Sequence, residues 1–392
     1  MAEGGKFIQS INIQNFKMFD TIEIENASHF NLFIGHNSLG KTGILEAISF
    51  AWGIYPSILF ESYSKEIRGE KITDLRDFDR LYHNFDTSHP IHIAMQMSQE
   101  QGSASENTLH YQIEYHPDET NGDKRAKLAV SLKIDDSNSE KAKLKWEITQ
   151  EKTDLEESTF DSLEKAFLEK LAASKSTRQY HFLHEGGIKE YQDVTSKHEP
   201  IVSFVSNHPY LSKQELDILE NNLDKRQALL EFIQKINPHI KTIEHSSHKN
   251  SLNLFRENMN RPFPLSQMGA GFIKIIRLYL ILLADKESNV ILFDEITDGL
   301  SPRTVKILVD HVLPLLAERN IQLFATTHSW DILNVLAETY RDDDPGYCSV
   351  YSVTQTVTQK RSGEDFVTQA RRIPPQTLYT CFPDFIDFRR EK

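Results

Sequence analysis

"GHNSLGKT", Gly35 to Thr42, follows directly on the apolar run "FNLFI" from Phe30 to Ile34. Its spelling is G-x-x-x-x-G-K-[ST], in which backbone N–H groups wrap phosphates, the lysine reaches the β- and γ-phosphates and the last hydroxyl meets Mg2+. The context favours that reading over a plain glycine turn. Phe30 to Ile34 is strand-like, and Lys41 opens "KTGILEAISFAWG", whose Ile44, Leu45, Ile48 and Trp52 recur at helical spacing. A strand, a glycine loop and a helix start in that order aim free N–H groups and the positive helix end at an anion. The nucleotide loop expected from this stretch comprises Gly35, His36, Asn37, Ser38, Leu39, Gly40, Lys41, Thr42 and Gly43.

Three later stretches complement it. "NVILFDE" is an apolar strand ending in Asp294 and Glu295. Phosphoryl transfer asks a protein mainly for positioning and charge neutralisation, so a metal-shell acid beside a water-polarising acid suits it; Asp294 takes the first role, with Thr42, and Glu295 the second. "MGAGFIKIIRLYL" sets Gly269, Ala270 and Gly271 at a helix start, where backbone N–H groups can face phosphate. "IQLFATTHS" is a buried strand with His328 just past its end, at the carboxyl edge where α/β sheets bind ligands, a place suited to sensing a γ-phosphate.

The chain of 392 residues has room for two or three domains or for one enlarged by insertions. A net charge of −13 gives no general attraction to nucleic acid, which leaves DNA or RNA binding open and unsupported by charge. Two cysteines make no disulfide framework, and "MAEGGKFIQS" lacks the plan of a signal peptide, so a cytoplasmic location is expected. "LYLILLA", bracketed by Arg277 and Asp285, is too short for a membrane span and reads as a buried helix.

"FIQSINIQNF" and "TIEIEN" are two short β-like runs before the phosphate loop, and the strand-like runs "IHIAMQM", "TLHYQIEYH", "KLAVSLKID" and "KLKWEITQ" after Gly53 predict an antiparallel sheet in front of the nucleotide. From Asp154 the period becomes helical. Phe160, Leu163, Phe167 and Leu171 form one stripe, and Leu216, Leu219, Leu223, Leu230 and Ile233 another behind a Ser212/Glu215 capping box. The expected organisation is an N-terminal lobe over 1–153, a helical insertion over 154–236 and a C-terminal lobe over 237–392, the last with alternating strands and helices on a mostly parallel sheet. "SPRTVKILVDHVLPLLAE" reads as one amphipathic helix, and "RDDDPG" as a solvated turn. "HFLHEGG" lacks the H-E-x-x-H spacing, and His83, His89 and His92 have no matching acid or thiol pattern.

The ordered set "GHNSLGKT", "MGAGF", "ILFDE", "DGLSP" and "ATTHS" resembles the ABC-type ATPase heads of the structural-maintenance-of-chromosomes, RecF and overcoming-lysogenisation-defect group. "INIQNFKMF" and "INPHIKTIE" are similar to the last of these. The resemblance implies an α/β P-loop NTPase head with a mixed sheet, an antiparallel β subdomain and a helical insertion. It also implies ATP and Mg2+ as cofactors, ATP hydrolysis, and a homodimer or higher homo-oligomer closed by an ATP sandwich. Gly269, Ala270 and Gly271 would then face ATP held by the other subunit, and Asp298 to Pro302 would lie along the seam. Lys41, Glu295 and His328 would act in catalysis. Many relatives serve phage defence or DNA repair, and an effector protein is the further partner expected for this chain. Two features depart from the pattern: Ala270 stands where a small polar side chain is usual, which leaves the trans contact to backbone, Ser266 or Gln267, and "LSP" replaces Leu-His-Pro. An ATP-gated nuclease component and a non-hydrolysing ATP-binding scaffold are the competing readings; the chain after His328 is too short for the metal-dependent TOPRIM nuclease domain of some relatives.

Overall fold

The structure is a computed structural model that describes residues 7–52, 79–98, 101, 107–118, 125–136, 139–150, 180–184, 187–191, 201–204, 211, 216, 218–219, 222–246, 251–259, 261–284, 288–340, 346–360, 363–373 and 377–378. The chain opens with β1 (Phe7–Phe16), β2 (Phe19–Ile24) and β3 (Phe30–Ile34), the glycine loop and α1 (Lys41–Trp52). The strands β4 (Ile91–Ser98), β5 (Asn107–Asp118), β6 (Arg125–Asp136) and β7 (Ser139–Gln150) follow. They join β1 and β2 in an antiparallel sheet of order β2-β1-β4-β5-β6-β7, as the alternating runs predict.

The stretch 154–236 departs from the helical expectation. Its described parts include the hairpin β8 (Tyr180–His184) and β9 (Gly187–Tyr191), the strand β10 (Ile201–Phe204) and the helix α2 (Leu223–Ile236). β10 pairs in parallel with β14 (Ser288–Phe293), so part of this stretch belongs to the main sheet. A four-residue strand gains its identity from the partner beside it, and periodicity cannot display that. The Phe160–Leu171 stripe and the Ser212/Glu215 box lie outside the described residues. α2 starts later than its stripe implies, because Asn222 caps it by accepting from the Lys225 N–H at 3.0 Å. Leu223 is consequently exposed, while Leu229, Phe232 and Ile233 face the core.

A three-stranded antiparallel unit, β11 (Ile240–Ser246), β12 (Ser251–Arg256) and β13 (Phe263–Pro264), leads into α3 (Ala270–Leu283). α3 is apolar on nearly every side and buried accordingly, as "LYLILLA" predicts. After β14 come α4 (Pro302–Ile307), a widened turn at Leu308–Val312, α5 (Leu313–Glu318), β15 (Gln322–Thr327), α6 (Trp330–Thr339), β16 (Cys348–Lys360) and β17 (Gly363–Ile373). The single helix expected over this region is interrupted at the widened turn. Pro314 has no N–H to donate within the helix, and the turn before it loosens so that the Leu313 N–H meets the Leu308 carbonyl.

The central sheet has the order β10-β14-β15-β3-β16-β17, parallel from β10 to β16 with β17 antiparallel at the edge. Both of its faces are covered, which explains why every residue of β3 is buried and all but Asn31 are apolar. Phe33 points into a core shared with α1 and the antiparallel sheet, between Phe324 and Tyr351 of the flanking strands. Phe30, Leu32 and Ile34 point the other way, into the core formed with α2, α3 and α4 to α6. Gln322 ties the two sheets: its amide oxygen accepts from the Ile8 N–H at 2.7 Å and its amide nitrogen donates to the Ile8 carbonyl at 2.8 Å. Among the described residues no helix is long and apolar enough to cross a membrane.

Candidate functional site

Because the central sheet is parallel, β3, β14 and β15 all end on one edge, and each delivers a polar loop there. The phosphate loop leaves β3 at Gly35. Gly40 has φ +85°, and a Cβ there would sit 2.8 Å from the ring of the fully buried Phe19, so both the backbone turn and the close packing require glycine. Phe19 therefore braces the loop from the start of β2. On the same side Lys17 reaches 2.5 Å from Glu46, a buried carboxylate on α1. His36, Asn37 and Ser38 are exposed at the loop's tip.

Lys41 is largely buried. Its Nζ donates to the carbonyls of Gly35 at 2.9 Å and His36 at 2.8 Å, so the amine is held inside the loop it belongs to. Burial lowers its pKa, and the nearby carboxylates of Glu295 and Asp294 oppose that shift. The next residue, Thr42, donates from Oγ1 to Asp294 Oδ1 at 3.0 Å, which joins the start of α1 to the end of β14. Glu295 adopts φ +50°, the left-handed region that non-glycine residues rarely enter. Its Oε2 lies 2.8 Å from Nδ1 of His328, a contact in which the imidazole donates.

Lys41, Thr42, Asp294, Glu295 and His328 thus meet at one sheet edge. Gly269, Ala270 and Gly271 form a second group at the start of α3, where Gly269 and Ala270 are exposed. The contacts described for this group run to the turn after the acids: Gly271 rests on the backbone of Gly299, and Lys274 pairs with Asp298 at 3.3 Å. Ser266 and Gln267 lie in the short turn before it. The stretch 341–345 of "RDDDPG" lies outside the described residues. Thr326 and Thr327 were not singled out by the sequence, although "ATTHS" carried both; their hydroxyls bond to Asp294 and Thr297 respectively.

Mg2+ prefers hard oxygen donors and usually keeps water, taking one or two protein groups beside substrate phosphates. The Thr42 hydroxyl and the Asp294 carboxylate are such a pair, already in contact and next to a cationic amine. The residues fit the ion.

A phosphate loop after β3, an acid pair after β14 and a histidine just past the end of β15, the strand between those two, define a P-loop NTPase head. A family model described as "AAA domain, putative AbiEii toxin, Type IV TA system" matches residues 30–334, and the chain belongs to that family. It is 23% identical over 346 residues to an "ATP/GTP phosphatase" of Helicobacter pylori, covering 86% of this chain and 89% of that protein. A shorter match, 34% identical over 74 residues, is to the "DNA replication and repair protein RecF" of Clostridium botulinum and covers 18% of it. The solved SmcHead bound to the C-winged helix domain of ScpA aligns at 13% identity over 95% of this chain and 99% of that chain, with a TM-score of 0.46. The SMC head domain from Thermotoga maritima aligns at 11% identity over 94% and 98%, with a TM-score of 0.37.

Proposed function

We propose that this chain hydrolyses ATP with Mg2+ and uses the cycle to close and reopen a pair of identical heads. The observation that carries the reading is the cluster in which Thr42 holds Asp294 while His328 holds Glu295. In this scheme the Lys41 amine leaves its loop carbonyls for the β- and γ-phosphates. Thr42 and Asp294 hold Mg2+, which when bound supplies positive charge against the phosphate oxygens. Glu295 accepts a hydrogen bond from the attacking water, orients it in line with the γ-phosphorus and receives its proton. His328 keeps the Glu295 carboxylate aimed and, with its second ring nitrogen, faces the transferred group.

Gly269, Ala270 and Gly271 present backbone N–H groups to ATP held by the opposite copy, and Asp298 to Pro302 line the seam. The segments 1–153 and 237–392 act as the two lobes of the head, and 154–236 runs between them as an insertion that lends β10 to the central sheet. The cytoplasm is the proposed location. The name of the RecF relative and the toxin–antitoxin wording of the family description support a role in DNA repair or phage defence, with an effector protein as the further partner.

Release of phosphate from ATP by the purified chain tests the reading. Turnover that needs Mg2+ and vanishes in Lys41→Ala supports it; turnover unchanged in Lys41→Ala rejects the assigned site.

A further inference from the structure

We infer that Thr326 is a positioning residue that sets both acids at once, and so determines how well the site takes its divalent cation; the inference rests on the nucleotide-site reading above. Thr326 is the fifth residue of β15, fully buried and opposite Phe33 of the phosphate-loop strand in the ladder. Its Oγ1 donates to Asp294 Oδ1 at 2.6 Å and accepts from the Glu295 N–H at 2.9 Å. Its carbonyl accepts from the Ile296 N–H at 3.0 Å. One residue therefore bonds to three consecutive positions of the turn that leaves β14.

The direction of these bonds has a chemical consequence. A hydroxyl has one proton, and here the Glu295 N–H occupies an acceptor position, so that proton is committed to Asp294. Asp294 Oδ1 then receives both the Thr326 and the Thr42 hydroxyls, which fixes the carboxylate plane and leaves Oδ2 only a longer 3.3 Å contact with Thr42. Oδ2 is thereby left as the oxygen that would hold a cation. The same hydroxyl anchors the amide of Glu295 while that residue holds φ +50°, so the backbone that aims the water-polarising acid is pinned by the group that orients the metal-shell acid. Thr327 is turned to the opposite face, where it meets Thr297 at 2.6 Å and accepts from the Ser329 N–H at 3.0 Å.

Thr326→Val keeps a similar shape and removes the hydroxyl, and Thr326→Ser keeps the hydroxyl. Binding of N-methylanthraniloyl-ATP is titrated with Mg2+ for each, followed by ATP turnover over the same Mg2+ range. Amide hydrogen exchange at Glu295 is read in the nucleotide-free protein. The Mg2+ midpoint is expected to rise about tenfold in Thr326→Val, since a hydrogen bond to a charged group is lost, while binding in EDTA is unchanged and excess Mg2+ restores much of the turnover. The Glu295 amide should exchange faster, and Thr326→Ser should follow the wild type in every measurement. If the valine variant does not fold, Thr326→Ala removes the same bonds with less bulk and carries the same expectations. A wild-type midpoint and exchange rate in the variant lacking the hydroxyl would overturn the inference, as would equal shifts in the serine variant. Absence of any Mg2+-dependent nucleotide binding by the wild-type chain would instead overturn the nucleotide-site reading, and this role with it.

Discussion

Nδ1 of His328, at the tip of β15, stands 2.8 Å from Oε2 of Glu295, the second residue past β14. The pair acts as one unit on this geometry. Glu295→Gln should lower phosphate release by about two to four orders of magnitude while nucleotide binding persists, because only the charge that polarises water is lost. The loss from His328→Ala should not add to it in the double variant, since touching residues share their effect. Full additivity would mean that the two groups work separately.

Lys41→Ala removes the cation of the phosphate loop. Nucleotide affinity should fall and turnover should drop to background in a steady-state assay. The fold should survive, because the bonds lost are those to the carbonyls of Gly35 and His36 on the lobe's edge.

Heads that close on two nucleotides should accumulate when cleavage is blocked. Glu295→Gln with ATP is expected to show a higher light-scattering mass than with ADP or without nucleotide. Adding Ala270→Glu should abolish the increase, since a carboxylate near the γ-phosphate is repelled by it. Equal masses in all conditions would reject the paired-head mechanism.

Gly271 lies against the Gly299 backbone so closely that a side chain cannot be added without moving one of them. Gly271→Ala should cost about 1–3 kcal/mol, seen as a melting temperature lower by several degrees. Gly269→Ala, where a Cβ would meet nothing within 4 Å, should melt like the wild type.

Acid should weaken the fold through His29 and His92, whose pKa values burial holds below the ordinary 6.5. Unfolded, each takes its proton at a higher pH than folded, so their contribution is complete above about pH 7 and is lost as pH falls through 6.5 toward the lower folded values. Thermal melts between pH 7.5 and pH 5 should show that decline. His29→Gln should make it shallower.

Motifs made of adjacent residues are legible in the amino-acid sequence alone. "GHNSLGKT" with its flanking strand and helix, the acids of "ILFDE" and His328 all stand where a local pattern puts them, and they converge because parallel strands end on one edge. The antiparallel runs before Gln150 are legible too, since each alternates on its own. What local pattern cannot carry is partnership. β10 takes its role from β14, and Leu223 reads as part of a stripe until Asn222 caps the helix one residue earlier. Thr326 and Thr327 are identical in type and adjacent in sequence, yet the pleat sends one to the acids and the other to Thr297.

The phosphate-loop strand β3 lies between β15 and β16, and the Ile8 backbone on β1 is bonded to Gln322. A ribosome emits β1 and β3 long before any of these partners exists. β3 must therefore wait with both edges open, a hazard for aggregation, until synthesis has passed Ser352, whose pairing with Ile34 finishes its second border. Truncated translation products of this chain would accordingly carry an intact "GHNSLGKT" and no cradle to hold it.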